Sequence, residues 1–171
     1  MKKLLLALFM VLMLIPSMCG AVEPTIKSDS RSFNPFTGVY DLQGHVFVQF
    51  PAHDTDLTIT GDTTQVHLYK LEVHGQGNIT LNFGDLIFNC DKVDVYNSDR
   101  TAYVNGNCNF KDKETVITAD TGSYCWKTKI AAFKGNVKIN GKSHKGELAY
   151  NVMTKKFIKP IPADVKFSQG K

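Results

Sequence analysis

The 171-residue chain contains no CxxC and no HxxxH pair, and its five histidines (His45, His53, His67, His74 and His144) are scattered. Zinc is held by clustered Cys and His ligands, so no metal site and no cofactor is expected. A GxSxG elbow, a phosphate-cradling glycine loop and a Ser/His/Asp grouping are missing too, which leaves no motif for an enzyme. Cysteine is sparse. Of Cys19, Cys90, Cys108 and Cys125, three fall beyond residue 21, an odd number that makes no full disulfide framework. Charge of one sign does not accumulate, with 20 basic against 16 acidic residues, and nothing demands a nucleic-acid partner. Sustained helical periodicity is also lacking after residue 21.

The one long apolar run lies at the start, where Lys2-Lys3 precede Leu4 to Ile15 and then small residues. That is the pattern of a secretory signal, with cleavage expected after Ala21. A run of this length falls short of the roughly 20 residues that span a bilayer, although an uncleaved anchor is the alternative reading. Lipid attachment at Cys19 would want a small residue before it, and Met18 is not one. Residues 1–21 are therefore read as a signal, 22–159 as one domain and 160–171 as a tail.

Beyond the signal, Val, Ile, Thr, Phe and Tyr dominate, and a repeat organises them. Acids follow a small residue at Asp29, Asp62, Asp91, Asp120 and Glu147. Fifteen residues after each of the first four stands a glycine: Gly44-His45, Gly77-Asn78, Gly106-Asn107 and Gly135-Asn136. The interval from glycine to the next acid varies, so a fixed unit is joined by elastic loops. The acids are read as turn formers at strand starts, with one turn of each unit around Pro35 to Gly38, Lys70, Ser98 to Arg100 and Lys127 to Lys129 and another at Gly-Asn, giving short strands. Pro160 and Pro162 interrupt a fifth unit, and the tail is read as a cap or edge guard.

Side chains alternate across a strand with period two. On that basis Val46, Ile79, Cys108 and Val137 form one inward column, and Val48, Leu81, Phe110 and Ile139 another, with Lys138 and Asn140 outward. Phe133 is assigned inward with them, whereas Phe47, Tyr103 and Trp126 are read as exposed aromatics. Cys125 is expected outward, and Cys90 with Cys108 is the pair to form if any does. The fold class expected is all-β, a repeat-built elongated β-jellyroll or open-ended stack of strands, against the alternative of a compact sandwich or barrel.

Ala119-Asp120, Tyr124, Ala131 to Val137 and Gly146 to Asn151 resemble the recurring alanine-aspartate, tyrosine and glycine-asparagine-valine pattern of the OstA-like family of periplasmic lipopolysaccharide-transport proteins. The resemblance covers Ile26 to Phe157; His45 and Cys108 depart from it, and the first unit lacks the alanine. It implies a twisted β-jellyroll open at both ends, with an apolar groove that shields lipid A acyl chains. It also implies head-to-tail self-association and partners of related β-jellyroll fold at the inner and outer membranes. On this reading Val46, Val48, Ile79, Leu81, Phe110, Phe133, Val137 and Ile139 bind lipid, and the protein carries lipopolysaccharide through the periplasm. Folding alone would also account for an apolar column. The other readings are an adhesive β-solenoid that binds protein or polysaccharide on its outer face, a membrane-anchored subunit of related fold, and a soluble regulator of outer-membrane assembly.

Overall fold

The structure, a computed structural model, describes residues 24–51 and 56–168. The expected signal and His53 lie outside the described residues. Thirteen strands and no helix occur among them: β1 (Thr25–Lys27), β2 (Ser30–Asn34), β3 (Val39–Phe50), β4 (Leu57–His67), β5 (Glu72–Phe83), β6 (Leu86–Tyr96), β7 (Thr101–Asp112), β8 (Thr115–Cys125), β9 (Ile130–Lys134), β10 (Lys138–Ile139), β11 (Lys142–Ser143), β12 (Leu148–Asn151) and β13 (Lys156–Ile158). They form one open antiparallel sheet in which β1, β3 to β9, β12 and β13 follow in order; β2 flanks β3, and β10 and β11 lie off β8. No helix among the described residues is long and apolar enough to cross a membrane.

The all-β jellyroll expected from the repeat is present, with two corrections. The chain does not reverse at Gly-Asn: β3, β5 and β7 run straight through Gly44-His45, Gly77-Asn78 and Gly106-Asn107 as twelve-residue strands. Nor do Asp62, Asp91 and Asp120 start strands; they sit in the middle of β4, β6 and β8. The marker is a β-bulge. Pairing of β4 with β5 steps from Thr60↔Thr80 to Thr63↔Gln76, so β5 carries one extra residue, and the same offset recurs from β3 to β8.

The chemistry of the bulge accounts for the constant interval of fifteen. Gly77 and Asn78 both have positive φ, +82° and +48°, and the other three copies repeat the pair. Glycine takes this region without penalty and asparagine tolerates it best among the rest. Across the ladder, Asn78 Nδ2 donates to Asp62 at 2.8 Å, Asn107 Nδ2 to Asp91 at 2.9 Å, Asn136 Nδ2 to Asp120 at 3.0 Å, and His45 Nδ1 meets Asp29 at 2.7 Å. A Cβ on Gly44, Gly77, Gly106 or Gly135 would collide with the same carboxylate. Acid, glycine and asparagine are thus one cross-strand staple, repeated down the sheet.

Bulges bend the strands that carry them, and these bulges line up on successive strands. The sheet folds along that line into two half-sheets whose inner faces pack together. Rings from strands that are not neighbours meet across the fold: Phe83 with Tyr124 at 5.0 Å, Phe110 with Phe133 at 5.3 Å and Phe88 with Phe133 at 6.5 Å. Glycines leave room for large neighbouring side chains in the core, as close packing requires. A Cβ on Gly75 would press on Ile79, and one on Gly122 would press on Phe133.

Candidate functional site

The folded sheet has two rows of chain reversals, and these make two lips. The first lip holds Phe83 to Leu86, Asp112 to Thr115 and the ends of the β3–β4 connection. The second holds Pro35 to Gly38, Leu68 to Leu71, Asn97 to Arg100, Trp126 to Lys129 and Val152 to Lys155. Successive reversals of the second lip are tied by backbone bonds: Leu68 N–H to Gly38 O, Asn97 N–H to Leu71 O, Trp126 N–H to Arg100 O and Val152 N–H to Lys129 O, at 2.9 to 3.3 Å.

Between the lips lies a cleft of about 890 Å³, within the ~300–1,000 Å³ usual for small-molecule sites. Phe50, Leu57, Phe83 and Leu86 line it from the first lip, and Val73, Val95, Tyr124, Trp126 and Val152 from the second. Trp126 stacks obliquely on Phe83 at 5.7 Å. Burial, with the charges of Cys125 and Asp112 nearby, pushes the Tyr124 phenol up to about 12, so it stays neutral. Arg100, Lys127 and Lys129 border the opening on the second lip, and Asp85 stands on the first. The arrangement is apolar within and cationic along one margin, suited to an amphiphile and without a nucleophile paired to a base.

The two inward columns face the interior. Val46, Val48, Ile79, Leu81, Phe110, Phe133 and Val137 are each at most 2 % exposed, and Ile139 is half-buried. Lys138 and Asn140 point outward. None of these eight expected residues lines the cleft; they lie beneath it in the packed core. The cleft is lined instead by the next residues of the same columns, Phe50 after Val48 and Phe83 after Leu81. The signal was in the sequence as continued alternation, up to the point where the lip begins.

The outer face differs from the expectation. Tyr103 is buried, and its hydroxyl donates to Asp99 at 3.1 Å. Trp126 turns into the cleft, and Phe47 is half-buried with Lys27 Nζ 5.7 Å from its ring. A row of paired residues, Tyr103, Ser123, Ala132 and Ala149, is buried on this side. The tail covers part of it rather than guarding an edge, with Ser123 Oγ donating to Lys166 O at 2.6 Å and Lys134 Nζ 5.7 Å from the Phe167 ring. The small outward side chains make room for that chain. All three described cysteines are free thiols, so the Cys90–Cys108 pair is not formed.

No protein-family model matches the sequence, and no curated protein matches it. Among solved structures, the crystal structure of LptH, the LptA-homologous periplasmic component of the lipopolysaccharide transport device of Pseudomonas aeruginosa, is similar over 68 % of this chain and 93 % of that one. Sequence identity is 11 % and the TM-score is 0.61, so the chain shares its fold with LptH.

Proposed function

We propose that the protein is an LptA-type carrier that binds lipopolysaccharide through its lipid A acyl chains and bridges them through the periplasm towards the outer membrane. The observation that carries this reading is the apolar interior that opens sideways between two lips. Acyl chains enter between the lips and rest against Phe50, Leu57, Phe83, Val95 and Tyr124, with the expected columns, Leu81 and Phe110 among them, packed behind that lining. Transfer of apolar chain from water to such a surface is favourable by roughly 25 cal/mol per Å². The carbohydrate stays at the mouth, in water.

The remaining elements follow from the same reading. Related β-jellyroll proteins at the inner and outer membranes hand the lipid on, and copies of this chain associate head to tail through terminal strands such as β1 and β13, each with one edge unpaired among the described residues. The test is equilibrium binding of lipid A to the purified protein. Leu81→Asn and Phe110→Leu, selected for retained thermal stability, weaken binding; the outward changes Thr80→Asn and Lys138→Gln leave it unchanged. Failure to bind lipid A at micromolar concentration would contradict the carrier reading.

A further inference from the structure

The second lip repeats one strained position. Gly38, Leu71, Arg100, Lys129 and Lys155 occupy equivalent places in successive reversals, and all have positive φ, between +53° and +66°. Glycine is the unstrained choice there and asparagine the next, while other side chains cost of order 1 kcal/mol or more. The first copy uses glycine. The last three use long cationic side chains.

These cations differ in what they meet. Lys155 is held by Asp112 at 2.6 Å. Arg100 and Lys129, with Lys127 beside them, have no ion-pair partner among the described residues and all three border the cleft. Lys113 on the facing lip shares the positive φ but pairs with Asp85 at 3.7 Å and does not line the cleft. The bonds from Trp126 N–H to Arg100 O and from Val152 N–H to Lys129 O fix the backbone beneath two of the three free cations. Positive charge is therefore concentrated along one side of an apolar opening, on backbone that is fixed at Arg100 and Lys129.

We propose that Arg100, Lys127 and Lys129 form an anion-binding lip for the phosphate groups of a multiply phosphorylated glycolipid whose acyl chains occupy the cleft. This rests on the carrier reading and adds orientation to it. Guanidinium and ammonium groups bind phosphate oxygens through charge-assisted hydrogen bonds, and three cations in a row suit more than one phosphate. Lys155, already neutralised by Asp112, marks where that row ends. The lipid accordingly lies with its phosphorylated head against the reversals at Asn97 to Arg100 and Trp126 to Lys129 and its chains towards Phe83.

The variant Arg100→Asn/Lys127→Gln/Lys129→Asn removes the charge while placing asparagine at the two strained positions, so it keeps or gains thermal stability. Its affinity for bisphosphorylated lipid A falls about tenfold or more and loses its salt dependence, while its affinity for a neutral diacylglycerol matches that of the unaltered protein. Monophosphorylated lipid A gives an intermediate loss. The control Lys138→Gln/Lys142→Gln/Lys145→Gln, away from the cleft, binds lipid A normally. Unchanged lipid A binding by the lip variant overturns the proposal and spares the carrier reading, as does equal loss of the neutral lipid. Equal affinity of the unaltered protein for phosphatidylglycerol and lipid A overturns the glycolipid assignment in favour of a general anionic-lipid site. If the unaltered protein binds neither lipid A nor diacylglycerol, the carrier reading itself fails.

Discussion

Lys155 Nζ lies 2.6 and 2.7 Å from the two carboxylate oxygens of Asp112, forty-three residues earlier in the chain, and so joins the second lip to the first. Asp112 is fully buried, and the Tyr150 hydroxyl donates to it at 3.1 Å. The clasp ties the lips at the C-terminal end of the cleft, whereas at Phe83 and Trp126 they meet only through their rings.

Breaking the clasp from one side leaves a buried carboxylate without its cation. Lys155→Met is expected to cost about 1–3 kcal/mol, at the lower end because Lys155 itself is half-exposed, and Asp112→Asn in the same chain recovers part of the loss. Urea denaturation of the two single variants and the double variant measures the coupling. Purely additive effects would show that the pair does not hold the lips.

The staple makes a second prediction through its backbone. Gly106→Ala forces a Cβ against Asp91 at a φ of +75° and is expected to destabilise by about 1–3 kcal/mol. Asp91→Ala in the same chain removes the collision but not the conformational cost, so only part of the loss returns. Asn107→Gly, which keeps the permissive backbone and gives up one exposed hydrogen bond, costs under about 1 kcal/mol. An Ala at Gly106 that is as stable as the parent in urea would rule out this origin for the fixed interval.

Much of this architecture was legible because the repeat imposes two independent regularities. The period-two alternation assigned the facing of Val46 through Ile139, and the constant separation of Asp62 from Gly77 announced a unit. What it could not convey was the meaning of the unit. Gly-Asn signals a hairpin turn as readily as a bulge, and only the cross-strand register distinguishes them, so the acids were placed at strand starts instead of opposite the bulge. The cleft was missed for a related reason. Alternation describes one strand, whereas the meeting of Phe83 with Trp126 depends on folding the whole sheet along its bulges. Tyr103 was assigned to solvent because nothing local reveals that a tail from Pro160 onward returns over that face.

Thiol chemistry probes the facing directly. Burial pushes Cys90 and Cys108 up to about 12, and both are enclosed, whereas Cys125 is half-buried. Burial also acts to raise Cys125, but hydrogen bonds from the Thr128 hydroxyl and the backbone outweigh it, and the net shift is downward. Alkylation of the folded protein near neutral pH should label Cys125 first and leave the other two until unfolding. Equal, rapid labelling of all three would contradict the assignment.

The same groups set an alkaline limit. Cys90 and Cys108 are raised from 9.0, and Tyr103 and Tyr124 from 10.0, each to about 12, so the folded state holds protons that the unfolded chain releases. Their contribution is complete below the unfolded values and is lost as pH rises from about 9 towards 12. Thermal melts across that window should show falling stability, and Cys90→Ala/Cys108→Ala should flatten its lower part. A melting temperature that rises across it would refute the linkage.

The central claim is that lipid chains lie inside, between the lips. Photocrosslinking in cells from a probe at Phe83 or Trp126, compared with probes at Thr80 and Lys138 on the outer face and read by blotting for lipopolysaccharide, tests it most directly. The account predicts a lipopolysaccharide adduct from the two cleft positions and none from the outer pair. Adducts of equal strength from both sets, or none from the cleft while the protein remains folded, would contradict it.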